Sequence, residues 1–129
     1  MGEIDGGRLL NDLRTLRTFG ESGTGVVRQT FSDEDMAARR WLFDLIAEAG
    51  LAAEIDGAGN VFGRSPNPGP ALILGSHSDT QPRGGWLDGA MGVVYAIEVA
   101  RTLRENPATS DLAIDTVAWS DEELSLIHI

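Results

Sequence analysis

The sequence predicts an α/β fold, in which apolar strands and amphipathic helices alternate along the chain. Residues 71–75, ALILG, form a continuous apolar run bounded by turn-forming residues, which is typical of a strand covered on both faces. A helical pattern follows this run, and residues 112–120, LAIDTVAWS, then read as a second sheet strand. The order of strand, loop, helix and strand therefore indicates an α/β sheet.

Two amphipathic helices are predicted before these strands. Residues 5–19 repeat leucine at helical spacing, and this helix is expected to end at Gly20. The glycine-rich residues 20–29 are then expected to form a loop. Ser32 begins a second helix, whose acidic first turn suits the helix dipole and which is expected to stop at Gly50. Its predicted buried stripe comprises Trp41, Leu42, Leu45 and Ile46.

The middle of the chain is predicted to contain a hairpin and a third helix. Two short extended segments in residues 51–64 flank the turn-forming sequence DGAGN, which favours a β-hairpin. Residues 90–103 have helical periodicity, and Asn106 and Pro107 close this helix. The apolar positions of the third helix are Val93, Val94, Ile97, Ala100 and Leu103.

Composition excludes several classes of function. The chain has 129 residues, the size of one ordinary domain, and a formal charge of −10, which repels nucleic acids and anionic membranes. No apolar run approaches the roughly 20 residues that span a bilayer, and the first residues do not resemble a signal peptide, so a cytoplasmic protein is expected. Cysteine is absent, so a metal site would have to use histidine, aspartate or glutamate.

Polar residues follow both apolar strands at their carboxyl ends, where open α/β sheets place their sites. His77 follows the first strand. Its neutral imidazole could bind a metal ion through one nitrogen while Asp79 accepts a hydrogen bond from the other. An ordinary polar loop containing a hydrogen-bonded histidine is the alternative, and it is the commoner meaning of so short a pattern.

Asp88 lies eleven positions after His77, between paired glycines and the start of the third helix. Its carboxylate could cap the helix that begins near Ala90. Alternatively, the glycines allow the loop to fold back and return Asp88 to His77, where one carboxylate can bridge two metal ions. The sequence leaves both interpretations open.

The second apolar strand leads directly into Asp121, Glu122 and Glu123. A solvated acidic turn is the usual meaning of such a run. Because neighbouring residues diverge at a strand end, one glutamate could instead bind a metal ion while its neighbour reaches a water molecule. Such nitrogen and oxygen ligands suit Zn²⁺ or Mn²⁺. Serine hydrolase and nucleotide-binding motifs are not present in recognisable form.

Residues 75–93, GSHSDTQPRGGWLDGAMGV, followed by AWSDEE at 118–123, resemble the amidase branch of the M20 metallopeptidase-like family. This branch includes N-carbamoyl-L-amino acid hydrolases, β-ureidopropionases of that type and allantoate amidohydrolases. Residues 31–51 and 56–64 also look like segments that precede the metal motif in these enzymes. The resemblance implies a zinc-peptidase-like catalytic domain with a mixed sheet flanked by helices, of which this chain is an incomplete N-terminal part.

The resemblance also implies roles for individual residues. His77 would ligate one divalent ion, Glu123 would ligate a second, and Asp88 would bridge the two. Asp79 would orient His77, and Glu122 would be the general base that takes a proton from the attacking water. The family implies Zn²⁺ or Mn²⁺ as the two ions, with Co²⁺ as a further candidate.

The function implied is metal-dependent cleavage of the carbamoyl C–N bond of N-carbamoyl-L-amino acids. The short spacing between His77 and Asp88 resembles the amidase branch rather than the exopeptidases, and DTQP at 79–82 is more similar to the carbamoylases. An amidohydrolase for allantoate or another ureido acid, or an M20 dipeptidase, is the alternative within the family. A non-catalytic α/β binding module with solvated acidic loops is the alternative outside it.

The resemblance stops at residue 123. Residues 124–129, LSLIHI, depart from the family pattern and are expected to be a non-native tail, which makes His128 a poor candidate ligand. Residues 1–123 are then expected to be the N-terminal part of a dinuclear metal-hydrolase catalytic domain. The family further implies two later metal-binding histidines, a substrate-binding arginine, and a lid domain through which the full-length protein forms a homodimer.

Overall fold

The computed structural model of the chain describes residues 2–125, so most of the expected non-native tail, including His128, lies outside the described residues. Three helices and six strands are formed within this range. In chain order they are α1 (Gly6–Thr18), β1 (Glu21–Ser22), β2 (Gly25–Val26), α2 (Asp33–Glu48), β3 (Ala52–Ile55), β4 (Val61–Arg64), β5 (Leu72–His77), α3 (Ala90–Glu105) and β6 (Ile114–Trp119).

The main sheet has four strands in the order β3-β4-β6-β5. The hairpin strands β3 and β4 are antiparallel, β4 is antiparallel to β6, and β5 is parallel to β6. The parallel register pairs His77 with Trp119, so the last residues of β5 and β6 are neighbours. The predicted α/β fold with a mixed sheet is confirmed. Because β5 and β6 are parallel neighbours, the chain segments that follow them lie together at the carboxyl ends of these two strands.

The predicted helices are formed close to their expected bounds. Asp5 caps α1 by accepting a hydrogen bond from the amide of Arg8, and Ser32 caps α2 by accepting one from the amide of Asp35. Gly50 has a φ of 82°, a conformation that readily terminates a helix. Capping and periodicity thus define the helices as the sequence predicts.

The prediction of a loop at residues 20–29 is wrong in one respect. Strands β1 and β2 form a small antiparallel hairpin there, because Gly20 and Gly23 adopt the positive φ angles that its turns require. Val26 and Gly84 exchange backbone hydrogen bonds of 3.0 Å in both directions. The hairpin is therefore joined to the loop that precedes α3.

Strand β5 differs from the prediction that both its faces are covered. The side chains of Leu72 and Ile73 are largely exposed. Helix α3 packs closely against β5, since a Cβ atom at Gly92 would lie only 2.7 Å from the Cβ atom of Ser76. Among residues 2–125, β5 pairs with a strand on one side alone, so it forms an edge of the sheet.

The apolar core lies between the sheet and the helices. Leu42, Leu45 and Ile46 of the predicted stripe are buried, while Trp41 is partly buried between two clusters. The larger cluster joins α2 and α3 to the sheet, and the smaller one joins α1 to α2 and α3. The larger cluster comprises Leu42, Leu45, Ile46, Ala49, Leu51, Val61, Val93, Ile97, Ala100, Ile114 and Ala118.

Charged side chains also join α1 to α3. Arg8 Nε lies 2.8 Å from the buried carboxylate of Glu98, and Arg101 pairs with Asp12 at 2.5 Å. Burial raises the pKa of Glu98, but its contacts with Arg8 outweigh this and lower the pKa overall.

No helix within residues 2–125 has both the length and the apolar character needed to cross a membrane.

We expect the 129-residue chain by itself to self-associate, because an unpaired strand edge with exposed apolar side chains favours pairing between copies. Leu72→Lys should shift the chain towards monomer, whereas Leu10→Lys on α1 should not, although Leu10 is 47% exposed and Leu72 61% exposed. Sedimentation velocity over a range of concentrations measures this. A chain that is monomeric at every concentration would contradict the expectation.

Candidate active site

The predicted site residues converge at the carboxyl ends of β5 and β6. His77 is the last residue of β5, Asp88 lies just before α3, and Glu123 follows the end of β6. One potential ligand atom from each of these three residues lies within 4.8 Å of the other two. The structure thus brings together three side chains that are up to 46 positions apart in sequence (123 − 77).

His77 is buried and has an acidic partner at each ring nitrogen. Its Nδ1 atom lies 3.0 Å from the backbone oxygen of Asp79 and 3.5 Å from the carboxylate oxygen Oδ1 of the same residue. Its Nε2 atom lies 3.3 Å from Glu122 Oε2. The nearby carboxylate of Asp79 is the main reason that the pKa of His77 is raised to about 9. A metal ion at this ring would therefore have to displace a proton.

Asp79 is fully buried and joins the two halves of the site. Its Oδ2 atom accepts a hydrogen bond of 3.1 Å from the backbone amide of Glu123, while its other oxygen faces His77. Burial raises the pKa of Asp79, but the contacts with His77 and with the Glu123 amide lower it overall. Asp79 lies where a residue that orients His77 is expected, and it also fixes the loop after β6.

Asp88 does not cap α3. Gly89 is the N-cap residue, with a φ of 66°, and no side chain makes the capping hydrogen bond. A Cβ atom at Gly89 would lie 2.5 Å from both Cε1 and the backbone oxygen of His77. The interpretation of Asp88 as a helix cap is therefore wrong, and Gly89 allows the helix start to lie directly against the His77 ring.

The acidic run after β6 forms a tight turn. Asp121 has a φ of 58°, and its backbone oxygen accepts a hydrogen bond of 3.1 Å from the amide of Leu124. The Glu122 side chain is 57% exposed but reaches His77, and the Glu123 carboxylate accepts a hydrogen bond from the Gln81 side chain. The two glutamates thus diverge towards different partners, as expected at a strand end.

Sequence reasoning missed the contribution of Asn60. The Oδ1 atom of Asn60 accepts a hydrogen bond of 2.8 Å from the amide of Ser120, directly before the acidic turn. Its Nδ2 atom donates to Asp56 over 2.8 Å, which fixes the orientation of the amide. The DGAGN sequence signals a turn, but nothing in it indicates that the turn supports the end of β6.

The donors fit a divalent metal ion. One imidazole nitrogen and carboxylate oxygens from two residues make up a set that suits Zn²⁺ or Mn²⁺. The Nδ1 atom of His77 already has a partner, the backbone oxygen of Asp79. Metal-binding histidines commonly have such a partner at the ring nitrogen that does not bind the metal. The chemistry of the residues that are present is therefore consistent with the metal site implied by the sequence.

Known proteins are similar to this chain in both sequence and fold. Residues 60–127, more than half of the chain, match peptidase family M28. The chain belongs to this family. It is 36% identical over 119 residues to an N-carbamoyl-L-amino-acid amidohydrolase from Paenarthrobacter aurescens, covering 90% of this chain and 29% of the relative. It is 34% identical over 125 residues to a ureidoglycolate hydrolase from Arabidopsis thaliana, covering 93% and 26%.

A solved amidase of the hydantoinase/carbamoylase family from Burkholderia phymatum is 59% identical, with a TM-score of 0.94. That match covers 95% of this chain and 30% of the amidase. The chain thus spans between about a quarter and a third of the length of these relatives. The resemblance to metallopeptidase-like amidases of the carbamoylase type is confirmed.

Gly89→Ala should displace the His77 ring, because the added methyl group would meet it at 2.5 Å and the positive φ disfavours alanine. Gly85→Ala is the matched control, since a Cβ atom there meets nothing within 4 Å. Both substitutions are made in a chimera that joins residues 1–123 to the remainder of the Burkholderia phymatum amidase.

We expect Gly89→Ala to lower the free energy of unfolding of this chimera by about 1–3 kcal/mol and to weaken Zn²⁺ binding. Gly85→Ala should leave both quantities unchanged. Chemical denaturation and calorimetric titration with Zn²⁺ measure them. Equal effects of the two substitutions would show that Gly89 has no special relation to His77.

Proposed function

We propose that this chain is part of a dinuclear metal-dependent amidohydrolase that cleaves the carbamoyl C–N bond of N-carbamoyl-L-amino acids. In this proposal residues 1–123 are the N-terminal part of the catalytic domain, and residues 124–129 are not native to it. The observation that carries the proposal is the convergence of His77, Asp88 and Glu123 within 4.8 Å beside the exposed carboxylate of Glu122. Relatives that are named N-carbamoyl-L-amino acid amidohydrolase support the same chemistry.

His77, Asp88 and Glu123 would hold the metal ions. When bound, divalent ions would polarise the substrate carbonyl and lower the pKa of water. The contribution of the chain is to hold the three donors together before binding. Asp79 fixes the ring of His77 and the amide of Glu123, so that two of the three donors are positioned by one buried carboxylate.

Glu122 is the proposed general base. Water would attack the carbamoyl carbon, and Glu122 would take one proton from it and pass that proton to the departing nitrogen as the C–N bond breaks. Overall, an N-carbamoyl amino acid and water yield the amino acid, carbon dioxide and ammonia. Glu122 suits this role because its side chain is accessible yet lies 3.3 Å from His77.

A second candidate is hydrolysis of allantoate or another ureido acid. It is supported by relatives that are named ureidoglycolate hydrolase, at 34% identity, and allantoate amidohydrolase, at 33% identity. The reacting group is the same in both candidates, a carbonyl bonded to amide nitrogens. What differs is the remainder of the substrate, so the metal-site residues support both equally.

The chimera of residues 1–123 with the Burkholderia phymatum amidase tests the proposal. Ammonia release is measured with N-carbamoyl-L-amino acids, allantoate and ureidoglycolate, together with metal content. We expect turnover of N-carbamoyl-L-amino acids above that of the other substrates, and no turnover by the 129-residue chain alone with added Zn²⁺, Mn²⁺ or Co²⁺. A folded chimera that retains no metal would contradict the proposal, and preference for a ureido acid would favour the second candidate.

Glu122→Gln in the chimera should lower kcat by about 10²- to 10⁴-fold, because an amide cannot accept the proton. Metal content should be unchanged, since Glu122 is not a proposed ligand. Glu54→Gln, at an exposed position on β3, is the control and should leave kcat unchanged. Near-normal turnover by Glu122→Gln with metal retained would exclude Glu122 as the base.

Asp88→Asn should reduce the metal content of the chimera and abolish its metal-dependent turnover, because a neutral amide is a poor bridging ligand. The free energy of unfolding of the metal-free protein should scarcely change, since the Asp88 side chain caps no helix. Asp111→Asn, at another exposed position, is the control. Two retained metal ions and full activity in Asp88→Asn would show that Asp88 is not a ligand.

A further inference from the structure

Arg28 is fully buried directly behind the loop that connects His77 to Asp79. Its Nε atom donates a hydrogen bond of 2.7 Å to the backbone oxygen of Ser78, the residue between the two. Its Nη1 atom donates hydrogen bonds of 2.8 Å to the backbone oxygens of Leu16 and Phe19 at the end of α1. One guanidinium therefore joins the loop after β5 to the end of a helix.

The backbone of Arg28 binds the same loop on the other side of Asp79. The amide of Arg28 donates a hydrogen bond of 2.9 Å to the hydroxyl of Thr80. The amide of Thr80 in turn donates a bond of 2.8 Å to the backbone oxygen of Arg28. Arg28 thus contacts the residues on both sides of Asp79, from a position about fifty residues earlier in the chain.

The environment of Arg28 is unusual for a buried cation. Within residues 2–125 Arg28 forms no ion pair, and Asp35 pairs with Arg39 instead. The Nη2 atom of Arg28 is buried without a hydrogen-bond partner. Burial lowers the pKa of Arg28 to about 10, while the charges of Asp35 and Asp79 act in the opposite direction. Neutral carbonyl groups satisfy its other donors, so its contacts serve to hold backbone rather than to neutralise a neighbouring carboxylate.

We propose that Arg28 is a positioning residue, which holds the Ser78 carbonyl and Thr80 so that Asp79 stays against both His77 and the amide of Glu123. The inference rests on the proposed function of the site. Arg28 itself cannot touch the substrate, because its side chain is inaccessible to solvent. Its effect should therefore pass through the metal-site residues and leave substrate affinity alone.

Arg28→Lys in the chimera tests the inference. Lysine keeps the charge but cannot reproduce the fork that reaches three carbonyl oxygens. We expect kcat or Zn²⁺ affinity to fall by about 10- to 100-fold, as is typical when a residue supporting a metal ligand is changed, with KM unchanged within twofold. Steady-state kinetics and metal titration are carried out well below the unfolding temperature.

Arg101→Lys is the matched control. Arg101 is also buried, but it pairs with Asp12 and Glu98 between α1 and α3, away from the site. The Arg101→Lys substitution should lower the melting temperature of the chimera without altering kcat or Zn²⁺ affinity. If Arg28→Lys behaves in the same way as Arg101→Lys, Arg28 is a structural residue only and the inference is overturned.

Thr80→Val provides a second test if Arg28→Lys does not fold. The substitution keeps the shape of the side chain but removes the hydroxyl oxygen that accepts a hydrogen bond from the Arg28 amide. We expect a smaller loss of kcat in the same direction, and a folded Thr80→Val with unchanged kcat and metal affinity would overturn the inference. An unsubstituted chimera that neither binds metal nor releases ammonia would instead overturn the proposed function, and the inference with it.

Discussion

The parallel pairing of β5 with β6 is the constraint on which the site depends. Because the register ends at His77 and Trp119, the segments that follow these residues leave the sheet side by side. The Asp79 carboxylate can then accept a hydrogen bond from the backbone amide of Glu123, a contact between two residues that are 44 positions apart. A shift of one residue in this register would turn alternate side chains to the opposite face and separate the two halves of the site.

Close backbone packing makes this arrangement specific. Gly75 lies against Val117 on β6, and Gly92 lies against Ser76, so neither position has room for a side chain. Gly89 brings the start of α3 against the His77 ring, and with it the preceding residue, Asp88. Gly75, Gly89 and Gly92 therefore do more than make the backbone flexible. They allow a helix, a strand and an imidazole to share a space in which any Cβ atom would clash.

Local patterns predicted the helices and the apolar strands, because caps and periodicity are encoded within a few neighbouring residues. Strand ends marked the candidate site residues, but their roles came only from the family resemblance. The β1–β2 hairpin was missed because strands of two residues have no periodicity. The roles of Asn60 and Arg28 were missed for a different reason. Their partners lie 60 and 50 positions away, so the same letters would read as an ordinary turn and an ordinary basic residue in any sequence without the fold.

The electrostatic balance of the site explains why these distant contacts matter. Asp79, Asp88, Glu122 and Glu123 gather around one histidine in a chain of net charge −10, and like charges at this distance repel. Within the described residues, the contacts of these carboxylates include both ring nitrogens of His77, the backbone amide of Glu123 and the side-chain amide of Gln81. Of these donors only the His77 imidazole, whose pKa is raised to about 9, carries a positive charge, and four carboxylates need further positive charge to stay together. Divalent cations would supply it, and a rigid support behind the loop would keep the carboxylates close enough to bind them.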